Sequence, residues 1–377
     1  MEFKHPLHVG APNVGNKDQF YKYTEEMFDR NWLTNHGELV LQFEEELQNY
    51  LGVKHCIALC NGTVALEIAI RGLGLSGEVI VPSLTFVATA HALQWQEITP
   101  IFCDVDPVTL CLDPSEVERH ITPRTTGIIG VHVYGHCCEV DALQKIADTH
   151  QLTLMFDAAH AFGHTHHGRK IGSFGACEVF SFHATKFFNS FEGGAVATNN
   201  DELAKKIRYM QNFGFSGDDC VEHVGLNGKM TEVCAAMGLT NLRCLDQFRA
   251  INLENYTAYA RGFEGIQGLR LIRNEANDIS NKHYVVVEVM DEFALSRDAL
   301  QVRLQAENIL VRRYFWPGCH RLAPYNKRQP NAGVLLPVTE KILAKILLFP
   351  TGTALNPEMI RRVLALVESW ASSTKKS

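Results

Sequence analysis

The sequence predicts an α/β fold in which a large domain with a mostly parallel sheet covered by helices is followed by a smaller α+β C-terminal domain. Two observations carry this. Short apolar, β-branched runs alternate with stretches of helical spacing as far as about residue 245, and the runs are apolar throughout rather than on one face only. Strands buried on both faces and separated by amphipathic helices are the pattern of a parallel sheet. Beyond residue 245 the rhythm changes, which sets the expected division at 1–245 and 246–377.

Taken in order, the expected strands are CIAL (56–59), EVIVP (78–82), TPIFCDV (99–105), TGIIGVHV (126–133), LTLMFD (152–157) and CEVFSF (177–182), with a further apolar run, AVAT, after Gly193-Gly194. Each is short and rich in Val, Ile and Phe, as a buried strand is. Between them TVALEIAIRGLG, FVATAHALQWQ, DALQKIADTHQ and DELAKKIRYMQNF repeat their apolar residues at three and four positions, the period of a helix lying on a sheet. In the C-terminal part, the helical LRCLDQFRAINLENYTAYARGF leads to the strand-like HYVVVEVM, then to the helical SRDALQVRLQAENI and PEMIRRVLALVESWA.

Bulk properties exclude several classes of function. Hydrophobic residues make up 46% of the 377 and charged residues 20%, the balance of a globular enzyme. With a net charge of -7 and no basic run beyond Lys375-Lys376, the chain has no electrostatic footprint for nucleic acid or an anionic membrane. MEFKHPLHVGAPNVG lacks the apolar core of a secretory signal, and no apolar run approaches a membrane span, so a cytoplasmic protein is expected. Eleven cysteines, scattered and mostly inside apolar stretches, read as reduced core residues.

Ligands of such sheets gather at the carboxyl ends of the strands, so the residues just after each run matter most. Asn61-Gly62-Thr63 opens a helix, and the unpaired N–H groups of a helix N-terminus suit a phosphate. Asp157 ends LTLMFD, where a carboxylate can stay ionised against a cationic ring nitrogen; His160 follows within reach of a planar ligand. Phe86, in PSLTF, can lie against a ring. Lys186, in Ser181-Phe182-His183-Ala184-Thr185-Lys186, follows its strand directly and can form an imine with a carbonyl. Singly, each has a plainer reading: an N-cap for Asn61 and Asp157, a structural histidine, a core phenylalanine, a surface lysine. Together they supply a phosphate cradle, a stacking face, a carboxylate for a pyridinium and an amine for an aldehyde, the four needs of pyridoxal phosphate. A metal-dependent hydrolase using His160, His164, His166 and His167 is a rival, weakened because no Glu lies close by as a base. A cofactor-binding regulator without turnover is another, disfavoured by an intact Lys186 and Asp157.

These features sit within longer segments: WLTNHGELVLQFEEELQNYLGVKH, NGTVAL, VIVPSLTFVATAHAL, PIFCDVDP, TPRTTGIIGVHVYG, FDAAHAFG, IGSFG, FSFHATKFFNSFEGGAVAT and GLNGKMTEVCAAMGL. In them the sequence resembles the DegT/DnrJ/EryC1/StrS family of sugar-nucleotide aminotransferases over roughly residues 7 to 245. The resemblance implies a fold-type I pyridoxal-phosphate enzyme that uses glutamate as amino donor. It implies that Lys186 forms the imine with the cofactor, that Asp157 partners the pyridine nitrogen and that His160 contacts the ring or its phenolic oxygen. Gly62, Thr63 and the Ser181 hydroxyl would bind the phosphate, and Phe86 would stack. Asn227 of GLNGKM would reach the phosphate of a neighbouring subunit, making a homodimer the smallest active unit. Relatives with histidine in place of the lysine are dehydrases; Lys186 implies transamination, and His183 is not that replacement. FHATKFFNSFEGG with RRYFWPGCHRLAPY (312–325) looks most like members that aminate C4 of dTDP-4-keto-6-deoxyglucose, although members acting at C3 or giving the galacto product share most of the site. Arg312, Arg313 and Tyr314 suit a nucleotide diphosphate, with a surface salt bridge the alternative for the arginines.

Overall fold

The computed structural model describes residues 2–273, 279–329 and 332–372; Lys375-Lys376 lies outside the described residues. Seven strands form the main sheet: β1 His55–Leu59, β2 Glu78–Pro82, β3 Thr99–Cys103, β4 Thr125–Val131, β5 Thr153–Asp157, β6 Glu178–Ser181 and β7 Gly194–Thr198. Their spatial order is β1-β7-β6-β5-β4-β2-β3. Only β7 is antiparallel to its neighbours, β1 and β6; the pairs β2–β3, β2–β4, β4–β5 and β5–β6 are parallel.

Consecutive side chains of a strand point to opposite faces, so uninterrupted apolar runs feed two cores at once. In β5, Leu154 and Phe156 enter one core while Met155 enters the other; in β2, Ile80 enters the first while Val79 and Val81 enter the second. The first core is completed by Leu39, Phe43 and Leu47 of the helix Glu38–Leu51, the second by Leu66 and Ala69 of the helix Gly62–Gly72. Each buried Leu or Phe contributes about 1.5–3 kcal/mol relative to exposure.

The expected strands are present, some with earlier ends. TPIFCDV stops at Cys103 because the Asp104 carboxylate is turned to other work, accepting from the Val338 and Thr339 amides. TGIIGVHV stops at Val131, and the His132 N–H donates to the Asp157 carbonyl before a turn over Val133–Gly135. The long helical stretch after residue 241 is broken at Arg243 and Cys244 between the helices Glu232–Leu242 and Leu245–Glu264.

The C-terminal part carries an antiparallel sheet of β8 Leu269–Leu271, β9 Val285–Val289 and β10 Ile346–Phe349, in the order β8-β9-β10. The helices Leu245–Glu264, Arg297–Ala306 and Pro357–Ser372 belong to the same region, and Tyr259, Phe263, Leu300 and Val363 pack with Val285 and Phe349 in a third core. The N-terminal Leu7–His8 pairs in parallel with Ile309–Leu310, and Phe3 and Leu7 join that core. Among the described residues no helix is long and apolar enough to cross a membrane. All eleven cysteines are free thiols.

Candidate functional site

Because β2, β4, β5 and β6 run in one direction, their carboxyl ends meet along one edge, and a cavity of about 650 Å³ opens there. Lys186, Asp157, His160, Gly62, Thr63, Ser181 and Phe86 all line it, brought together from four separate stretches of chain.

Lys186 follows β6 through a tight turn in which its N–H donates to the His183 carbonyl at 2.9 Å. Thr185 is held on both sides: its hydroxyl meets His183 Nδ1 at 2.8 Å and its carbonyl accepts from His283 Nε2 at 2.9 Å. Lys186 keeps some accessible surface where it lines the cavity, but its surroundings are dense, and burial lowers its ammonium to about 8 against the opposing pull of Asp157. A lysine so tuned is still mostly protonated at neutrality but carries a far larger neutral, nucleophilic fraction than an ordinary lysine at 10.5.

Asp157 closes β5 and is buried. Its Oδ2 accepts from Thr89 Oγ1 at 2.8 Å and its Oδ1 from the Ala159 N–H at 3.1 Å, while Thr89 Oγ1 lies 2.8 Å from Thr85 Oγ1. Burial raises the carboxyl, opposed by the Thr89 and Ala159 hydrogen bonds and by Lys186. A carboxylate in this setting gains most from a cation placed against it.

His160 is buried, and its Nδ1 accepts from the Tyr134 N–H at 3.0 Å. In the neutral ring the proton therefore sits on Nε2, and burial keeps the ring neutral by depressing its pKa. Tyr284 lies 4.5 Å from it between ring centroids and Phe315 stacks at 5.7 Å.

Gly62 and Thr63 open the helix Gly62–Gly72. Asn61 caps it by accepting from the Val64 N–H at 2.9 Å, and no described residue accepts from the Gly62 or Thr63 amides. A Cβ on Gly62 would lie 2.8 Å from Ser181 Cβ, so the helix end and the Ser181 hydroxyl share one cradle only because residue 62 is glycine. Phe86 is 55% exposed, with its ring 5.9 Å from that of Phe315, and so is a cavity wall rather than a core residue.

Arg312 and Tyr314 also line the cavity, with the Arg312 guanidinium 5.1 Å above the Tyr314 ring. Arg313 is turned away into an ion pair with Asp298 at 3.0 Å, the plainer of its two readings. Asn227 lies outside this cavity, exposed, with its Oδ1 accepting from Lys229 Nζ at 2.8 Å. Of the four histidines of the hydrolase rival, only His160 lines the cavity; His164 is buried and accepts from the Asn281 N–H at 3.2 Å, and His166 lies in the hairpin Thr165–His166 and Arg169–Lys170. Among the described residues no group of three or more His, Cys, Asp or Glu is arranged to hold a metal ion.

Sequence reasoning missed Thr85 and Thr89, which support Asp157, and Tyr284 and Phe315, which wall the cavity. Thr89 belongs to the predicted helix that begins at Phe86, and Tyr284 lies just before β9, more than 120 positions from Asp157. Nothing in local periodicity marks either. Pyridoxal phosphate fits the residues present: unclaimed amides in a glycine-dependent cradle for the phosphate, a buried carboxylate for the ring nitrogen, a lysine of lowered pKa for the aldehyde and aromatic walls for the ring.

Comparison with known proteins agrees. The model of the DegT/DnrJ/EryC1/StrS aminotransferase family matches residues 15–368. A dTDP-4-amino-4,6-dideoxy-D-glucose transaminase of Shigella dysenteriae is 36% identical over 364 residues, covering 96% of this chain and 98% of that one. A GDP-perosamine synthase of Caulobacter vibrioides is 34% identical over 369 residues, covering 96% and 97%. The solved structure of DesI in the presence of its TDP-sugar product superposes with a TM-score of 0.95 and 44% identity, covering 100% of this chain and 95% of that one. The chain belongs to the DegT/DnrJ/EryC1/StrS family and is a pyridoxal-phosphate-dependent sugar-nucleotide aminotransferase.

Proposed function

We propose that the protein transfers the amino group of glutamate to C4 of dTDP-4-keto-6-deoxyglucose, giving dTDP-4-amino-4,6-dideoxyglucose, and that it works as a cytoplasmic homodimer. The carrying observation is full-length similarity to a relative named for that product, alongside the high similarity to a structure holding a TDP-sugar.

Bound pyridoxal phosphate supplies an aldehyde that condenses with amines and a ring that takes up developing negative charge. In this reading the chain's own residues do the rest. The Gly62 and Thr63 amides and the Ser181 hydroxyl hold the phosphate, joined by Asn227 of a second subunit. Asp157 keeps the ring nitrogen protonated, and Thr89 keeps Asp157 ionised. Phe86 and His160, which line the cavity, would contact the ring. Lys186 Nζ would be the base that takes the proton from the donor's α-carbon and gives a proton back, and its pKa near 8 suits both directions. The same atom works in reverse when the keto sugar replaces the donor, so ping-pong kinetics follow.

The test is to incubate the holoenzyme with glutamate and dTDP-4-keto-6-deoxyglucose and to assign the product's amine by NMR. An equatorial C4 amine is expected. Cofactor cycling with glutamate but no amination of this sugar would remove the C4 dTDP reading and leave the class, directing attention to 3-keto, galacto-configured or GDP-linked substrates.

A further inference from the structure

Two buried histidines, His132 and His160, each accept from a backbone N–H, and one short turn joins them. His132 follows β4, and its Nδ1 accepts from the Cys138 N–H at 3.1 Å. A backbone N–H only donates, so that nitrogen bears no proton and the ring carries its proton on Nε2. Nε2 lies 3.0 Å from Oε1 of Glu178, which is as fully buried as His132. Glu178 Oε2 accepts from the Gly172 N–H and, at 2.9 Å, from the Phe174 N–H. The carboxylate therefore meets donors on both oxygens, and every polar atom of the pair has its partner.

Between His132 and Cys138 the chain makes the turn Val133–Gly135, with Tyr134 at φ 53° and ψ 16°. This left-handed conformation is costly for any residue but glycine and persists only where the surroundings hold it. The turn is fastened at one end by the His132 N–H, which donates to the Asp157 carbonyl at 3.0 Å, and at the other by the Cys138 N–H on His132 Nδ1. The His132 ring is itself stacked on Phe156, 4.9 Å between centroids. So held, the turn presents the Tyr134 N–H to His160 Nδ1 at 3.0 Å, which leaves the His160 proton on Nε2. The Tyr134 hydroxyl donates to the Tyr314 carbonyl in the cavity wall. His160 lines the cavity, whereas His132 and Glu178 do not, so any effect of theirs on the cofactor passes through the turn. Lys186, His164 and His283 also act on His160, but through their charge, which disfavours a protonated ring whichever nitrogen holds the proton.

We propose that Glu178 and His132 are positioning residues that hold His160 in the tautomer carrying its proton on Nε2, so that an N–H rather than a bare nitrogen is offered to the cofactor. The proposal rests on the cofactor site and on neither the C4 position nor the dTDP carrier, so it and the C4 assignment can fail separately.

Glu178→Gln tests it, because a carboxamide cannot serve the same partners. With its oxygen toward Gly172 and Phe174, its NH2 group opposes the His132 N–H; turned round, it opposes the two backbone N–H groups. His132 escapes the first conflict only by moving its proton to Nδ1, against the Cys138 N–H. Adding His132→Asn removes the conflict: the amide oxygen can take the Cys138 N–H, and no N–H is brought against the glutamine. Ring nitrogens are read by 15N NMR of cofactor-free protein labelled at histidine, the His160 signals being those lost in His160→Asn. The native protein should show His160 protonated at Nε2 alone, Glu178→Gln a mixture of tautomers, and the double variant the single tautomer again. In the holoenzyme, Glu178→Gln should move the pH midpoint of the cofactor's absorbance by about half a unit or more and lower kcat about tenfold, with KM for glutamate within about twofold. Glu232→Gln, another buried carboxylate that accepts from two backbone amides, should lower the melting temperature and move neither reading. A folded Glu178→Gln with the native tautomer and absorbance midpoint would overturn the proposal, leaving the pair as a brace within the sheet. A folded double variant that does not recover them would overturn it too, and that variant decides by the same readings should Glu178→Gln alone not fold.

Discussion

Lys186 and Asp157 are coupled through the electrostatics of one cavity. Burial disfavours the charge on both, lowering Lys186 to about 8 and raising Asp157, while each favours the other's ionised form. For Lys186 the sign can be worked out. Below about 8 it is charged in both folded and unfolded states, so the folded protein bears the full desolvation penalty. Between about 8 and the ordinary 10.5 the unfolded chain keeps a proton that the folded one has lost, so the contribution of Lys186 to stability improves as pH rises. Melting of cofactor-free protein should therefore show Lys186→Met more stable than the native protein near pH 7, with the gap narrowing above pH 8. A gap independent of pH would contradict the assigned burial. Asp157 depends on Thr89, and Thr89→Val should cost about tenfold in kcat and shift the pH titration of the cofactor's absorbance, with Thr89→Ser restoring both. If the titration does not move, Thr89 only fills space. Lys186, Asp157, His160 and Gly62 were legible in the sequence because each directly follows or closes a recognisable apolar run. Thr89, Tyr284 and Phe315 were not, because their partners lie far away in the chain and no local pattern records a contact.

Elements, rather than single side chains, set the cradle. Gly62 lets the helix end approach Ser181, and Gly194 at the start of β7 lets that strand pass the Asn61 carbonyl, where a Cβ would lie 2.6 Å away. Gly62→Ala forces the helix end and β6 apart at a cost of about 1–3 kcal/mol, so it should lower the melting temperature of cofactor-free protein by a few degrees and weaken cofactor binding by about tenfold in an absorbance titration. The helix Glu38–Leu51 has no side-chain cap of its own; the buried Glu232 carboxylate accepts from its Leu39 and Val40 amides at 3.0 and 2.9 Å. Removing it in Glu232→Ala should lower stability by about 2 kcal/mol, seen in chemical denaturation. The alternating strands and helices of the sheet were readable from apolar periodicity. The helix Glu232–Leu242 was not, because it is buried on nearly all sides and shows no amphipathic period, with Gly238 lying against the ring of Phe43.

At the scale of the whole molecule, the parallel sheet gathers strand ends into one cavity, and an apolar surface lies beside it. Phe191, next to the cavity residue Glu192, packs edge-on against Phe20 at 5.5 Å, and Tyr21 and Phe28 stand exposed on the same N-terminal helix, Lys17–Arg30. Such a face suits a second copy of the chain. Light scattering should give twice the chain mass, and Asn227→Ala should weaken cofactor binding while leaving that mass unchanged; a monomer with full activity would end the shared-site reading. The parallel order was foreseeable from strands apolar on both faces, whereas the pairing of Leu7–His8 with Ile309–Leu310 was not, since a two-residue strand leaves no periodic trace. The central claim is that Lys186 carries the cofactor, and the most direct measurement is borohydride reduction of the holoenzyme followed by peptide mass spectrometry. The account predicts the pyridoxyl group on the peptide containing Lys186 and on no other lysine; its recovery elsewhere, or no attachment at all, would contradict it.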